Sequence, residues 1–191
     1  MRLWLVATLL STCGCLMGNS AGAATRITIT GINSRRISSS IVIDRSMKSV
    51  WAILTDYDNL ANIVPNLVAS RRLPNADSIR IYQEGAQNIV GFDFRASLTM
   101  DMVELVEDRL RRPLPQWRLR FACHESLMFD DFTGEWSVRD LQPGRRCELM
   151  YTVDVTPKGV VPVAAIEWRI REDVPPNMAA IKREAERRKN L

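Results

Sequence analysis

The side chains able to do chemistry in this chain are few and scattered. His124 is the single histidine. It stands in His124-Glu125-Ser126, which reads as an exposed turn and not as a general base held by a partner. Asp56 and Asp58 fall at a helix start, where carboxylates are favourable in any case. Asp130 and Asp131 are neighbours in a strand, so they point to opposite faces. One histidine with two separated cysteines, Cys123 and Cys147, does not make a usual zinc site. Gly-x-Gly-x-x-Gly and phosphate-loop patterns are both missing from the sequence. No catalytic residue, metal or cofactor is expected from these residues.

What the chain does carry is apolar surface in strand and helix periods. The strongest signal starts at Phe92: Phe92, Phe94, Ala96, Leu98, Met100, Met102 and Val106 share one face, interrupted by Glu104, against Asp93, Arg95, Ser97, Thr99 and Asp101. Trp117, Leu119, Phe121 and Cys123 alternate next. A strand from Phe129 to Asp140 contains Trp136 and Gly134, where a bulge or bend is expected. Cys147, Leu149, Tyr151, Val153 and Val155 close the series. Before these strands, Ile27–Thr30 and Ser40–Asp44 read as strands. Ser46 is a candidate cap for a helix with Met47, Val50, Trp51 and Leu54 on one side, and Asp56 for a short second helix. Val68–Leu73 and Ile79–Gln83 read as further strands. After Gly159 the period becomes helical. Val163, Ile166, Ile170, Val174, Met178 and Ile181 keep one phase across Pro175-Pro176, where a kink or brief break is expected.

This order predicts an α+β fold: a curved antiparallel sheet wrapped around a long C-terminal helix, with two short helices after the first strand. A sheet and one helix leave an interior between them. The candidate lining is Phe92, Phe94, Met100, Met102, Trp117, Phe121, Trp136, Tyr151, Ile166 and Ile170. Polar groups on that inward face are Glu104, Tyr151 and Thr133.

Several stretches together resemble a known family: Ile43-Asp44, Trp51-Ala52-Ile53-Leu54-Thr55-Asp56-Tyr57-Asp58-Asn59-Leu60, Val64-Pro65-Asn66-Leu67, Ser70-Arg71, Phe132-Thr133-Gly134-Glu135-Trp136-Ser137-Val138 and Pro175-Pro176-Asn177-Met178. With the order of elements, they look like the START-like (SRPBCC, Bet v 1-type) superfamily, and within it the coenzyme Q-binding protein and polyketide cyclase group. The resemblance covers about residues 37–188 and is nearest to plastid and cyanobacterial forms. It implies a helix-grip fold with a deep apolar cavity beneath the long helix. It also implies binding of lipids, isoprenoid quinones or aromatic polyketides, and supplies no universal catalytic motif.

The expected function is binding of a hydrophobic ligand as a carrier or chaperone. A cyclase or aromatase, and an interaction module with a filled interior, are the alternatives. The net charge is +4, all of it accounted for by Arg2 and the tail 182–191, so the body is neutral and nucleic acid is not an expected partner. A monomer with transient membrane contact through Gly159–Val163 and Arg111–Pro115 is expected. Residues 1–23 read as a cleavable targeting segment: Arg2, an apolar run, then Ala21-Gly22-Ala23. Residues 24–191 form the single domain, exported or directed to a plastid, envelope or secretory compartment. Cys123 and Cys147 are expected to be free thiols if a third strand separates theirs.

Overall fold

The computed structural model describes residues 22–74, 77–89, 92–106, 115–159 and 163–188, with the backbone alone for 87–89, 92–94, 163 and 165–166. Residues 1–21 of the expected targeting segment 1–23, the stretch 111–114 and residues 160–162 lie outside the described residues.

Eight strands form one antiparallel sheet: β1 (Ala24–Ile29), β2 (Arg35–Ile43), β3 (Leu67–Arg72), β4 (Ile79–Ile89), β5 (Phe92–Val106), β6 (Gln116–Ser126), β7 (Phe129–Gln142) and β8 (Arg146–Pro157). Their order across the sheet is β1-β2-β8-β7-β6-β5-β4-β3. Between β2 and β3 come helix α1 (Met47–Leu54) and a 3-10 helix (Tyr57–Asn62), and the chain ends in helix α2 (Val163–Arg187). This is the expected helix grip.

Alternation explains the strands. Met100 and Met102 of β5, Leu119 and Phe121 of β6, and Cys147, Leu149, Val153 and Val155 of β8 are buried, while their sequence neighbours are half-buried or exposed. Val106, expected inside, is instead 54% exposed. β4 extends beyond Gln83 to Ile89. Glu84-Gly85-Ala86 are poor strand formers alone, but β5 pairs with every one of them.

The bulges sit elsewhere than expected. Gly134 pairs in register with both Phe121 and Val153. Register shifts fall at Phe129/Asp131, at Asp140/Gln142 and opposite Thr99/Met100. Gly134 is required for a different reason: a Cβ there would lie 2.5 Å from the Phe121 ring and 2.3 Å from the Thr152 carbonyl oxygen. His124 is the extra residue of the β6 bulge, within a strand and not in a turn.

The Ser46 side chain accepts from the Ser49 backbone N–H and caps α1. Asp56 does not cap the 3-10 helix; it accepts from the Asn59 side chain at 2.8 Å instead. α2 is a continuous helix of 25 residues through Pro175-Pro176. Two prolines remove the backbone donors for the carbonyls of Arg171 and Glu172, and both residues are exposed, so water can serve those carbonyls. Packing on either side sustains the helix. Met178, Ile181 and Ala185 are buried. Lys182 Nζ donates to the Val42 carbonyl at 2.9 Å, and Arg45 donates to the carbonyls of Ala185 and Glu186 at the helix end, where a cation is favoured. Near its start, Glu167 pairs with buried Arg35, which also donates to the carbonyls of Gly31 and Ser34.

Cys123 in β6 and Cys147 in β8 are free, with β7 between them. Two strand spacings of about 4.8 Å already exceed the reach of a disulfide.

Candidate functional site: a cavity under the long helix

Between α2 and the β3–β6 half of the sheet lies a partly open cavity of about 280 Å³. Its floor is built from inward positions of β4, β5 and β6: Ile81, Ala96, Leu98, Met100, Met102 and Phe121. The 3-10 helix contributes Tyr57 and Leu60, and α2 contributes Asp173, Asn177 and Ile181.

An aromatic ladder limits the size of this space. Phe129 and Phe132 of β7 meet at 5.2 Å between ring centroids, Phe132 and Phe121 at 5.7 Å, Phe121 and Tyr151 at 6.1 Å, and Tyr151 and Trp136 at 4.3 Å. Phe121, Phe132, Trp136 and Tyr151 present this ladder to the cavity as a wall. Part of the grip is thus filled by rings. The remaining volume is just below the roughly 300–1,000 Å³ of ligand pockets.

Of the residues expected to line the interior, Met100, Met102, Phe121, Trp136 and Tyr151 meet at this cavity. Trp117 does not. It pairs with Val138 at the other end of β6, where Trp51 of α1 packs edge-on against it at 5.5 Å. Ile170 is half-buried against the core beside Val174, away from the cavity wall. The side chains of Phe92, Phe94 and Ile166 lie outside the described residues.

The helix explains this difference. Ile170, Val174 and Met178 form the apolar stripe that packs on the core. The face bordering the void is one residue out of phase: Asp173, Asn177 and Ile181, at i, i+4 and i+8. Sequence reasoning therefore missed the polar end of the cavity, made by Asn66, Gln83, Asp173 and Asn177. Polar residues spaced by four beside the apolar stripe were the available signal.

The electrostatics follow from burial. Asn66 Nδ2 donates to Asp173 Oδ1 at 2.7 Å, and Arg169 pairs with Oδ2. Burial nevertheless holds the Asp173 carboxyl above the usual carboxylate range, with Arg169 opposing it. Burial likewise raises the Tyr151 hydroxyl, which therefore stays protonated at neutral pH. Tyr57 Oη donates to Glu104 at 2.7 Å, and burial followed by that hydrogen bond raises its hydroxyl too. Glu104 itself is exposed. His124 lies on the outside, its Nδ1 3.6 Å from Asp101. Among the described residues, Asp173 is the one carboxylate on the cavity lining, and no cluster of His, Cys, Asp and Glu is placed to hold a metal.

A family model described as polyketide cyclase/dehydrase and lipid transport matches residues 43–182. The chain belongs to that family. Its solved neighbours share the grip. A STAR-related lipid transfer protein from Xanthomonas axonopodis is 13% identical with a TM-score of 0.69, over 88% of this chain and 96% of that one. The Zhui aromatase/cyclase from Streptomyces is 18% identical, TM-score 0.61, over 81% and 95%. Human StAR-related lipid transfer protein 5 is 8% identical, TM-score 0.61, over 88% of each chain. At such identities these likenesses establish the fold alone. No curated protein sequence matches this chain.

Proposed function

We propose that this protein binds one compact hydrophobic molecule, or the head of a longer one such as a lipid or isoprenoid quinone, and carries or shelters it without transforming it. The observation that supports this most directly is the cavity itself: an apolar floor and aromatic wall, with polar groups gathered at one end. Burying about 300 Å² of ligand at about 25 cal/mol/Å² supplies about 7 kcal/mol gross. Association removes a large part of it. The polar end therefore matters for affinity as well as for orientation.

The test is titration of the purified protein with naphthalene, followed by the fluorescence of wall residue Trp136 and by native mass spectrometry. Saturable one-to-one binding, lost in Ala96→Trp, is expected. A folded protein with no saturable uptake overturns the reading. A cyclase reading would put proton transfer on Asp173, whose raised carboxyl faces the cavity. Turnover of an aromatic polyketide that Asp173→Asn abolishes would favour it.

Transient membrane contact is part of the proposal. Ile32 (99% exposed), Leu127 (87%) and Trp168 (47%) lie at the end of the grip where α2 starts. Arg35–Glu167 and the Lys158 N–H to Met128 carbonyl bond draw those segments together. Among the described residues no helix is long and apolar enough to cross a membrane. Sedimentation with vesicles of anionic lipid, weakened by Leu127→Asp, is the expected result. Export or organelle targeting through residues 1–23 belongs to the same proposal.

A further inference from the structure

The aromatic wall of the cavity carries a polar group that the fold does not use. Tyr151 shares the inward face of β8 with Leu149 and Val153, both shut in the core. Tyr151 itself is only half-buried, although it lies deep enough that burial alone raises its hydroxyl. A side chain that is deep and still keeps surface borders a void, and Tyr151 lines this cavity. Its ring packs against Trp136 at 4.3 Å between centroids and lies within 18° of parallel to Phe121 at 6.1 Å. The ring is thus occupied and the hydroxyl is not. Oη has no hydrogen-bond partner among the described residues, and it is not one of the unpartnered side-chain atoms sealed in the packing. Tyr57, also on the lining, differs: its hydroxyl donates to Glu104.

We propose that the Tyr151 hydroxyl is the specificity-determining group of the cavity, and that it donates a hydrogen bond to a carbonyl oxygen of the guest. The ligand class is a planar, ring-sized ketone or quinone whose ring lies along Trp136 and Phe121. Water can serve Oη while the cavity holds no guest. A guest that fills the space displaces that water and must replace its bond, or it strands the hydroxyl in an apolar wall. A hydrocarbon strands it. A carbonyl, which offers lone pairs, does not. The polar end does not compete for the same oxygen. There Asn66 already donates to Asp173 and Gln83 to Ser70, and β7, β6 and β5 separate β8 from β4. This inference rests on the ligand-binding reading above and adds which guests are chosen.

Two probes of nearly the same shape test it: 2-acetylnaphthalene, which has the carbonyl, and 2-isopropylnaphthalene, which lacks it. Both are titrated by calorimetry into the full-length protein and into Tyr151→Phe, and the quantity read is the ratio of the two affinities within each protein. A general change in binding caused by the substitution cancels in that ratio. The ratio of ketone to hydrocarbon affinity is expected to fall about fivefold in Tyr151→Phe, the weight of one net hydrogen bond. The infrared band of the bound ketone carbonyl, lowered in the parent by the hydrogen bond, is expected to move back toward its position in hexane. A ratio that changes by less than about twofold overturns the role of Tyr151. So does a parent-bound ketone whose band already stands at the hexane position. If Tyr151→Phe binds neither probe or does not fold, protein carrying 3-fluorotyrosine decides. Its more acidic hydroxyl lowers the band further where a tyrosine is the donor, and an unmoved band overturns the proposal. Failure of both probes to saturate the parent removes the underlying ligand-binding reading instead.

Discussion

Replacing Gly134 by alanine tests how the aromatic wall is held back from the cavity. Gly134 sits mid-β7 between Phe121 of β6 and Val153 of β8. An alanine Cβ would lie 2.3 Å from the Thr152 carbonyl oxygen, 2.5 Å from Phe121 Cζ and 2.9 Å from Val153 Cα. Ordinary carbon contacts are about 3.5–4.0 Å, so each neighbour must retreat by about 1 Å. Two of the three are backbone atoms of a paired strand and cannot rotate away. The third is a ring whose escape route is the cavity. Overpacking typically costs about 1–3 kcal/mol, and the backbone contacts put this variant at about 3 kcal/mol. For a chain of this size that is about 6–12 °C in Tm. Thermal and urea unfolding measure it. The same variant, with Phe121 pushed inward, binds naphthalene more weakly. Adding Phe121→Leu relieves the ring contact and restores part of the stability, while the Thr152 contact remains. A Gly134→Ala protein within about 0.5 kcal/mol of the parent would refute the close approach. It would fit a simple bulge instead.

Three further outcomes follow from the interactions described. Arg187 and Arg188 hold the Glu184 carboxyl down to about 2. A depressed carboxylate stabilises above its unfolded pKa and loses that contribution as pH falls through the folded value. Glu184→Gln should therefore lower stability by about 1 kcal/mol at pH 7, the pair with exposed Arg187 being screened by solvent, and match the parent near pH 2 in denaturant titrations. Burial pushes the Cys147 thiol up to about 12, so iodoacetamide at pH 8 should leave Cys147 unmodified in the folded protein and label Cys123 first, as read by peptide mass spectrometry. Tyr57→Phe removes the hydrogen bond to Glu104 and should cost about 1 kcal/mol in urea unfolding, since Glu104 recovers water.

The periodic elements were legible because burial dictates them. Met100 and Met102, or Leu149 and Val153, alternate because one face of the sheet meets the core. The same signal misplaced the site on α2. Hydrophobic periodicity reports where a helix is packed, and Ile170, Val174 and Met178 are packed. It says nothing of which neighbouring face borders a void, and that face carries Asp173 and Asn177. Gly134 could be recognised as a constrained position but not explained, since a bulge and a close ring contact both select glycine. Trp117 shares its period with Phe121, yet the two lie at different heights on β6. Only the position of Trp51 shows that α1 covers one of them. Pro175-Pro176 breaks a helix by local preference, and tertiary contacts at both ends override it.

The hydrogen bond from Asn66 to Asp173 joins α2 to the segment leading into β3, and among the described residues it is the one side-chain hydrogen bond tying α2 to that flank. A single bond to a charged group is worth about 1.5–3 kcal/mol, so this flank is tied far less firmly than the stretch of α2 whose Met178, Ile181 and Ala185 are buried in the core. On the carrier proposal above, the edge beside this bond is where a guest would pass while the helix and the sheet stay folded.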